Sequence, residues 1–385
     1  MAGVTRLVLA GGGHSHAIVL DALRRRPEPG LEVTLVSPAA ASPYSGMLPG
    51  HVAGIYSREA MHIDVRRLVA AAGGRFVEDA VARVDAPARR VLTRGGATIP
   101  YDLLSLDIGI TPDLSAIAGA DAHAIAVKPI GDLLDKLDRL VAAVRAPDGP
   151  QDVAIVGGGA AGLCLAFALA RRLRAEAADA GRDGARLRPT LITAHALLPD
   201  LNARARRLAR AALARAGIGL VEDDRACAIA PRSVTLASGR EIAADATLVA
   251  VGAGAPQLIA QSGLATDPQG FLAVRPTLQA VGDDAIFGAG DCATSVTDPR
   301  PKAGVFAVRQ GPALVENLRR AVRGAPLLPF QPQKDWLVLM STADGRAIAA
   351  RGRHLALEGR AVWWLKDRID RRFVEGLAVR GARPA

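Results

Sequence analysis

A glycine-rich turn between an apolar strand and a helix is the feature that most constrains the fold. Residues 153–156 are apolar, and Gly157, Gly159 and Gly162 follow with GxGxxG spacing before an alanine- and leucine-rich segment. In that spacing the first glycine allows a tight turn, the second admits a pyrophosphate, and the third brings helix and strand close together. The N–H groups at the start of the helix favour phosphate oxygens. The pattern predicts a dinucleotide-binding domain.

A second glycine turn lies near the start of the chain. Gly11 and Gly13 follow an apolar run, and His14, Ser15 and His16 complete the turn, with His16 where the third glycine would stand. A side chain there is expected to hold the helix slightly further from its strand. Two histidines on one loop lack the third and fourth ligands of a metal site. We therefore expect polar groups beside a pyrophosphate and no metal ion.

A third turn occurs late in the chain, where an apolar strand pattern ends in a GxGD sequence containing Gly290 and Asp291. A carboxylate at a strand end can accept hydrogen bonds from the hydroxyl groups of a cofactor. Two glycine turns followed by this acid predict an α/β chain with two nucleotide-binding folds.

The order of these motifs resembles that of the FAD-dependent pyridine nucleotide-disulfide oxidoreductase superfamily. The chain looks most like its type II NADH dehydrogenase-like branch, and above all like the flavoprotein module fused to selenide, water dikinases. The resemblance extends over essentially the whole chain and is carried by residues 11–16, 43–50, 101–112 and 364–373. It implies two Rossmann-like, three-layer ββα dinucleotide-binding domains, the second inserted in the first, and a small α+β tail.

The resemblance also implies domain boundaries. The FAD-binding domain is expected at residues 1–115 and 251–325, the NAD(P)H-binding-like domain at 116–250, and a C-terminal hairpin and helix at 326–385. FAD would occupy the first glycine turn, and NAD(P)H the second as a co-substrate.

Several site residues follow from the resemblance. Asp291 would contact the ribityl chain of FAD, the loop containing Pro43 and Tyr44 would lie along the isoalloxazine ring, and Gly109 would stand where the chain leaves the FAD domain. Lys302 would lie beside the flavin and the electron acceptor, where a cation favours the negatively charged reduced flavin. We take Lys302 and Tyr44 as the catalytic candidates. One departure is Asp107, which stands where many relatives have a small residue.

The strands that follow the two glycine turns lack the acid that normally binds a ribose. The first ends in Ser37, whose hydroxyl can still bond to a ribose hydroxyl, although less strongly than a carboxylate. The second, at residues 190–195, is followed by Arg204, Arg206 and Arg207. This shifts the expectation from NADH toward NADPH, or toward no nicotinamide at all.

The chain has three cysteines, Cys164, Cys227 and Cys292, and no two are close enough in sequence for a CxxC motif. Disulfide reductases need a redox cysteine pair beside the flavin, and sulfide:quinone reductases use cysteines to carry sulfur. The corresponding stretch here, residues 43–50, contains none. Both activities are therefore disfavoured, and direct electron exchange between flavin and a second substrate is expected.

The composition of the chain limits the classes of partner that it can bind. The net charge is +10, which fits either an anionic partner or solvated arginine-rich helix faces, and the aromatic content of 3% leaves little to stack nucleic-acid bases on. No nucleic acid is expected. The first strand begins a few residues after Met1 and no apolar run could span a bilayer, so we expect a cytoplasmic protein, with peripheral contact at the inner membrane left open.

A basic helix is predicted near the C-terminus. One reading is an interfacial helix that meets anionic lipid and a quinone pool. The favoured reading is a helix packed on the FAD domain or on a second copy of the chain in a homodimer, because Asp367 and Asp370 dilute the basic face. Its apolar positions recur every four residues, at Leu365, Ile369, Phe373 and Leu377.

The function expected from these features is electron transfer from NAD(P)H through FAD to a quinone or other small acceptor, without a redox disulfide. Two alternatives stay open. The enzyme could oxidise a selenium, sulfur or amine metabolite with its second fold vestigial, or the chain could be a non-catalytic FAD-binding partner of a selenophosphate-making kinase.

Overall fold

Strand Thr5–Ala10 lies inside an eight-stranded sheet because its last four residues are apolar and completely buried. It pairs in parallel with Leu31–Ser37 on one side and Leu103–Leu106 on the other. The computed structural model describes residues 3–379. In spatial order the sheet consists of Ala293–Ser295, Leu272–Val274, Gln279–Ala280, Asp283–Gly288, Leu103–Leu106, Thr5–Ala10, Leu31–Ser37 and Arg75–Glu78.

A second sheet, in which all strands are parallel, is formed by the segment that lies in sequence between two strands of the first sheet. Its central strand, Asp152–Val156, is the apolar run that precedes the second glycine turn. The five strands are, in spatial order, Ala124–Ala126, Ala246–Val249, Asp152–Val156, Arg188–Ile192 and Gly219–Val221. The connections that leave and re-enter the first sheet pair with each other, Thr111–Pro112 running antiparallel to Ala253–Gly254. The predicted α/β fold with an inserted second nucleotide-binding unit is confirmed.

The eight-stranded sheet is mixed, because Gln279–Ala280 runs antiparallel to both of its neighbours, whereas the five-stranded sheet is parallel. Each of the two is covered on one face by a small antiparallel sheet and on the other by helices, which gives the predicted three layers. The first small sheet packs Val84, Val91 and Ile99 against apolar residues of the eight-stranded sheet. The second packs Val234 and Ile242 against the five-stranded sheet. Their strands are Val81–Asp85, Arg90–Thr93 and Thr98–Pro100 in one, and Ala226–Ala230, Ser233–Leu236 and Glu241–Ala243 in the other.

Four helices position the site and are named here. The first-turn helix is His14–Arg25, the second-turn helix Ala160–Asp179, the central helix Gly304–Val322 and the C-terminal helix Arg360–Leu377. The other helices are Leu48–Val52, Val65–Ala71, Ala120–His123, Ile130–Val144, Ala203–Arg215 and Gln257–Gln261, with 3-10 turns at Glu59–Met61, Gly184–Arg186 and Gly290–Cys292. A two-stranded sheet pairs Ala41–Pro43 with His62–Asp64.

The tail consists of an antiparallel sheet and the C-terminal helix, but that helix buries a different face from the one its apolar spacing predicted. Leu365 and Ile369 are exposed, whereas Lys366 and Asp370 are buried. A strict four-residue repeat drifts around a helix of 3.6 residues per turn, so the apolar row turns from solvent toward the protein only at its end. The three strands of the tail sheet are Val338–Ser341, Ala347–Arg351 and Leu355–Gly359.

The contact between the first-turn helix and the central helix depends on a glycine. A methyl group added at Gly311 would lie 2.6 Å from Ile18 Cδ1 and 2.9 Å from Ile18 Cβ. The absence of a side chain at Gly311 therefore lets the two helices approach closely.

We expect Gly311→Ala to destabilise the protein by about 1–3 kcal/mol, because the added methyl overpacks this helix contact. The matched control is Gly131→Ala in helix Ile130–Val144, where a methyl would meet nothing within 4 Å. That change should stabilise by about 0.5–1 kcal/mol through helix propensity alone. Urea unfolding of both variants measures the two free energies, and equal effects would contradict the close-packing argument.

Candidate functional site

The first glycine turn accommodates His16 by hydrogen bonding. His16 Nδ1 lies 2.7 Å from the Gly11 carbonyl oxygen and Nε2 lies 2.8 Å from Ser105 Oγ. In the second turn, a methyl group added at Gly162 would lie only 1.9 Å from the Gly157 carbonyl oxygen. The first turn therefore accommodates a side chain at a position where the second turn has no room for one, and the wider separation of helix and strand stays a prediction. Burial lowers the pKa of His16 to about 4, so the imidazole is neutral.

Asp107 fills the space between the first turn and the GxGD turn. Its Oδ2 accepts hydrogen bonds from the backbone N–H of Ser15 at 2.8 Å and of His16 at 3.2 Å. A methyl group at Gly13 or at Gly290 would collide with this carboxyl group. Burial raises the pKa of Asp107 to about 6.

The first turn can still hold a diphosphate. The N–H groups of Gly12, Gly13 and His14 have no acceptor anywhere in residues 3–379. They stand where the first-turn helix begins, so its dipole favours negative charge there. These donors fit the pyrophosphate of FAD. The Ser15 hydroxyl is not among them, because it donates to the Ala307 carbonyl of the central helix at 2.8 Å.

The second turn is open. A methyl group added at Gly159 would meet nothing within 4 Å. Within the described part of the chain, no group accepts from the N–H of Gly159, Ala160 or Ala161. The second-turn helix thus offers three consecutive free donors, the arrangement that a nicotinamide dinucleotide requires.

Aromatic residues meet beside the first turn. The ring centroids of His14 and Tyr44 are 5.3 Å apart, and those of Tyr44 and Phe373 are 4.7 Å apart. Burial lowers the pKa of His14, and the nearby carboxyl groups of Asp107 and Asp291 oppose this. A methyl group at Gly304 would lie 3.0 Å from Ser45 Oγ, which places the start of the central helix at the same point.

Tyr44 is held by the C-terminal helix. Burial, together with the nearby Asp370 carboxylate, raises the pKa of Tyr44, so its hydroxyl stays protonated and can donate a hydrogen bond. Asp370 forms a buried ion pair with Lys366, whose Nζ also donates to the Gly46 carbonyl at 2.8 Å. This ion pair joins the C-terminal helix to the loop that contains Tyr44.

Asp291 has a partner that the sequence analysis missed. Its Oδ2 lies 2.8 Å from Lys128 Nζ, and both side chains are largely buried, at 12% and 32% exposure. Lys128 follows strand Ala124–Ala126 of the five-stranded sheet, so this ion pair connects the two nucleotide-binding units. The sequence feature that could have identified Lys128 is its position as a single lysine between an apolar strand and a helix.

Lys302 points toward a strand of the eight-stranded sheet. Its Nζ donates to the Ala293 carbonyl and to Thr294 Oγ1, each at 2.7 Å, and lies 3.9 Å from the centroid of the Phe271 ring. Burial lowers its pKa. Lys302 and Asp291 line one open cavity, whereas Tyr44 is not among its lining residues. The two catalytic candidates therefore occupy different surroundings, and the contact of Lys302 with flavin stays a prediction.

The remaining predicted residues lie at strand ends. Ser37 is buried and its hydroxyl donates to the Ala39 carbonyl at 3.0 Å. Its oxygen can still accept a hydrogen bond, and its contact with a ribose stays a prediction. Gly109 has a φ of +72° beyond strand Leu103–Leu106, a conformation that suits glycine. Gln310, which lies on the central helix and not at a strand end, holds the GxGD turn by accepting a hydrogen bond from the Gly290 N–H at 2.7 Å.

None of the three cysteines provides a redox pair. Cys164 and Cys292 are buried and Cys227 is partly exposed, and all three are free thiols. Burial raises the pKa of Cys164 to about 11 and that of Cys292 to about 12. These two thiols therefore stay protonated and are poor nucleophiles.

Comparison with known proteins points to one family. The model of the family described as pyridine nucleotide-disulphide oxidoreductase matches residues 5–311. An NADH dehydrogenase-like protein of Mycobacterium tuberculosis is 29% identical over 77% of this chain and 74% of its own. Demethylphylloquinone reductase of Synechocystis is 28% identical over 74% of this chain and 71% of its own. The sulfide:quinone oxidoreductase of Aquifex aeolicus shares the fold, with a TM-score of 0.81 at 18% identity, over 97% of this chain and 91% of that one.

We expect His16→Ala to make stability less sensitive to acid. Because the pKa of His16 is lowered to about 4 in the folded protein, its stabilising effect is complete above the unfolded pKa and is lost as the pH falls. From about pH 7 to about pH 4, the wild type should lose about 3 kcal/mol more than H16A. Urea unfolding across this range measures the difference. The exposed His354→Ala is the control, and parallel curves for wild type and H16A would refute the assignment.

Proposed function

This chain belongs to the pyridine nucleotide-disulphide oxidoreductase family, and we propose that it passes electrons from NAD(P)H through FAD to a quinone. It is a flavoprotein oxidoreductase that binds FAD. The observation that carries the proposal is the pair of glycine turns, each with free N–H groups at a helix start. When bound, FAD supplies the hydride-accepting and electron-donating chemistry, and the protein supplies binding, orientation and charge.

The residues around the GxGD turn would stabilise negative charge gained on reduction. Lys128 lies against Asp291, and Lys302 lines the same cavity as Asp291. Two partly desolvated cations interact with nearby charge more strongly than they would in water. Tyr44, which stays protonated, would serve as a hydrogen-bond donor on the side of the C-terminal helix.

We infer a preference for NADPH over NADH. Strand Arg188–Ile192 is followed by Thr193, whose hydroxyl donates to the His195 carbonyl, so no acid stands there to bind a ribose 2′-hydroxyl. The nearby Glu222 is already used by Leu197 N–H and Arg210. Arg204, Arg206 and Arg207 form no ion pair with a carboxylate among residues 3–379. These three arginines therefore remain available to bind a 2′-phosphate.

Quinone is the acceptor class that the observations favour. A relative is named demethylphylloquinone reductase, and the buried thiols offer no sulfur-carrying route. Trp364, Leu365 and Ile369 are exposed on the C-terminal helix, with the exposed Arg368 and Arg372 beside them. An apolar strip flanked by arginine suits the surface of an anionic membrane, and quinones are dissolved in such membranes. In the described part of the chain, no helix is both long and apolar enough to cross a membrane.

Mixing the oxidised yellow protein with NADPH in an anaerobic stopped-flow instrument should bleach the flavin band rapidly, and faster than NADH does. The control is Gly159→Val, whose Cβ would meet nothing within 4 Å and whose side chain would stand where the nicotinamide pyrophosphate approaches. We expect G159V to keep its FAD and to bleach at least about tenfold more slowly. Failure of both nucleotides, with dithionite still effective, would reject NAD(P)H as reductant and favour oxidation of another metabolite.

The quinone proposal predicts two separable properties. A water-soluble quinone should re-oxidise the reduced flavin in repeated turnovers. The variant Trp364→Ser/Ile369→Ser should keep that turnover while its binding to anionic lipid vesicles falls by about tenfold or more, because apolar burial drives interfacial binding. Vesicle co-sedimentation measures the binding. Unchanged vesicle binding, with a shift from dimer to monomer in sedimentation velocity, would assign the same face to a homodimer instead.

A further inference from the structure

The two halves of the chain share a local geometry that reveals what is unusual about Asp107. Gly109 and Gly252 have φ values of +72° and +71°, and each follows a strand adjacent to the strand that enters a glycine turn. Asp107 precedes Gly109 by two residues, and Ala250 precedes Gly252 by two. The Asp107 carbonyl lies against Gly11 just as the Ala250 carbonyl lies against Gly157. Ala250 is therefore the counterpart of Asp107.

The first turn is closed by the aspartate side chain at position 107, whereas the second turn stays open because its counterpart, Ala250, has only a methyl group. A methyl group at Gly13 would lie 2.1 Å from Asp107 Cγ, whereas a methyl group at Gly159 meets nothing within 4 Å. Asp107 Oδ2 occupies the N–H groups of Ser15 and His16, the counterparts of Ala161 and Gly162. A carboxyl group of the protein thus stands at the helix start where the first turn receives a diphosphate.

Among the described residues, no lysine or arginine forms an ion pair with the Asp107 carboxyl group, and the nearby His14 is the group that most opposes the rise in its pKa. From the first-turn helix it faces His14 and His16, and burial lowers the pKa of both imidazoles. From the GxGD turn it faces Asp291, which is paired with Lys128, and the buried thiol of Cys292. Asp107 is 4% exposed, and within residues 3–379 no group donates a hydrogen bond to its Oδ1.

We propose that Asp107 takes up one proton from solvent when FAD binds, so that FAD is held more tightly at acidic than at alkaline pH. A carboxylate at this helix start would repel the two negative charges of the pyrophosphate in a medium where Coulomb interactions are strong. A neutral carboxyl group keeps the two N–H hydrogen bonds at Oδ2 and gains an O–H donor at Oδ1. Asp107 is thus a positioning residue for the cofactor. The inference depends on FAD binding and not on the identity of the acceptor.

The electrostatics of the site support this titration. Burial is the largest cause of the rise in the pKa of Asp107 to about 6; Asp291 adds to this rise, whereas His14 and the two N–H hydrogen bonds oppose it. The added charge of a pyrophosphate raises this pKa further. The dissociation constant for FAD should therefore rise by about tenfold for each pH unit above about 6, until the pKa of the FAD-bound state is reached.

The test is the dissociation constant of FAD for the full chain at pH values from about 6 to about 8, obtained from the increase in flavin fluorescence when holoprotein is diluted. Asp107→Asn keeps an acceptor for the two N–H groups and replaces the charge by an amide donor. We expect its dissociation constant to be independent of pH and, at the alkaline end, about tenfold or more below that of the wild type. Asp107→Ala, which reproduces Ala250, should also lose the pH dependence.

Two further measurements make the outcome decisive. Calorimetry of FAD binding to the full chain in two buffers with different ionisation enthalpies should show uptake of one proton by the wild type and none by D107N. The control Glu28→Gln removes another buried carboxylate, far from the turn and paired with Arg323, and should keep the wild-type pH dependence. The proposal is overturned if wild type and D107N show the same pH dependence, or if D107N weakens FAD binding equally at every pH.

Discussion

The structure depends on N–H groups that have no acceptor among residues 3–379. In each of the two large sheets, a central apolar strand leads through a glycine-rich turn into a helix. The glycines have no side chain that could accept hydrogen bonds from the N–H groups at the start of that helix. Such donors are costly when buried without an acceptor. A bound anion resolves this, which is why the turns, and not the sheets, determine what the protein binds. The first turn resolves part of the problem with its own carboxylate, Asp107.

The two nucleotide-binding units are joined by a strand pair and an ion pair as well as by the covalent chain. Thr111–Pro112 pairs with Ala253–Gly254, so the outgoing and returning segments support each other. Lys128 then reaches from the inserted unit to Asp291 of the first. A movement of one unit against the other would separate this charge pair. The contact therefore couples the position of the inserted unit to the charge beside Asp291.

The parts of the site that could be predicted are those encoded by local spacing. The glycine turns, the helix over residues 130–144 and the late GxGD acid follow from neighbours in the sequence. Lys128 was missed because its partner is 163 residues away and no pattern links them. The buried face of the C-terminal helix was also missed, since Lys366 and Asp370 are charged and can be buried only because they neutralise each other.

That ion pair restricts how the sequence can vary over time. Loss of either charge would leave the other buried without compensation, whereas simultaneous replacement of both by apolar residues can be tolerated. Residues 366 and 370 should therefore change together among related chains. Tyr44 should vary with them, because its hydroxyl hydrogen-bonds to the Asp370 carboxyl group. A segment near the end of the chain thus constrains residues near its beginning.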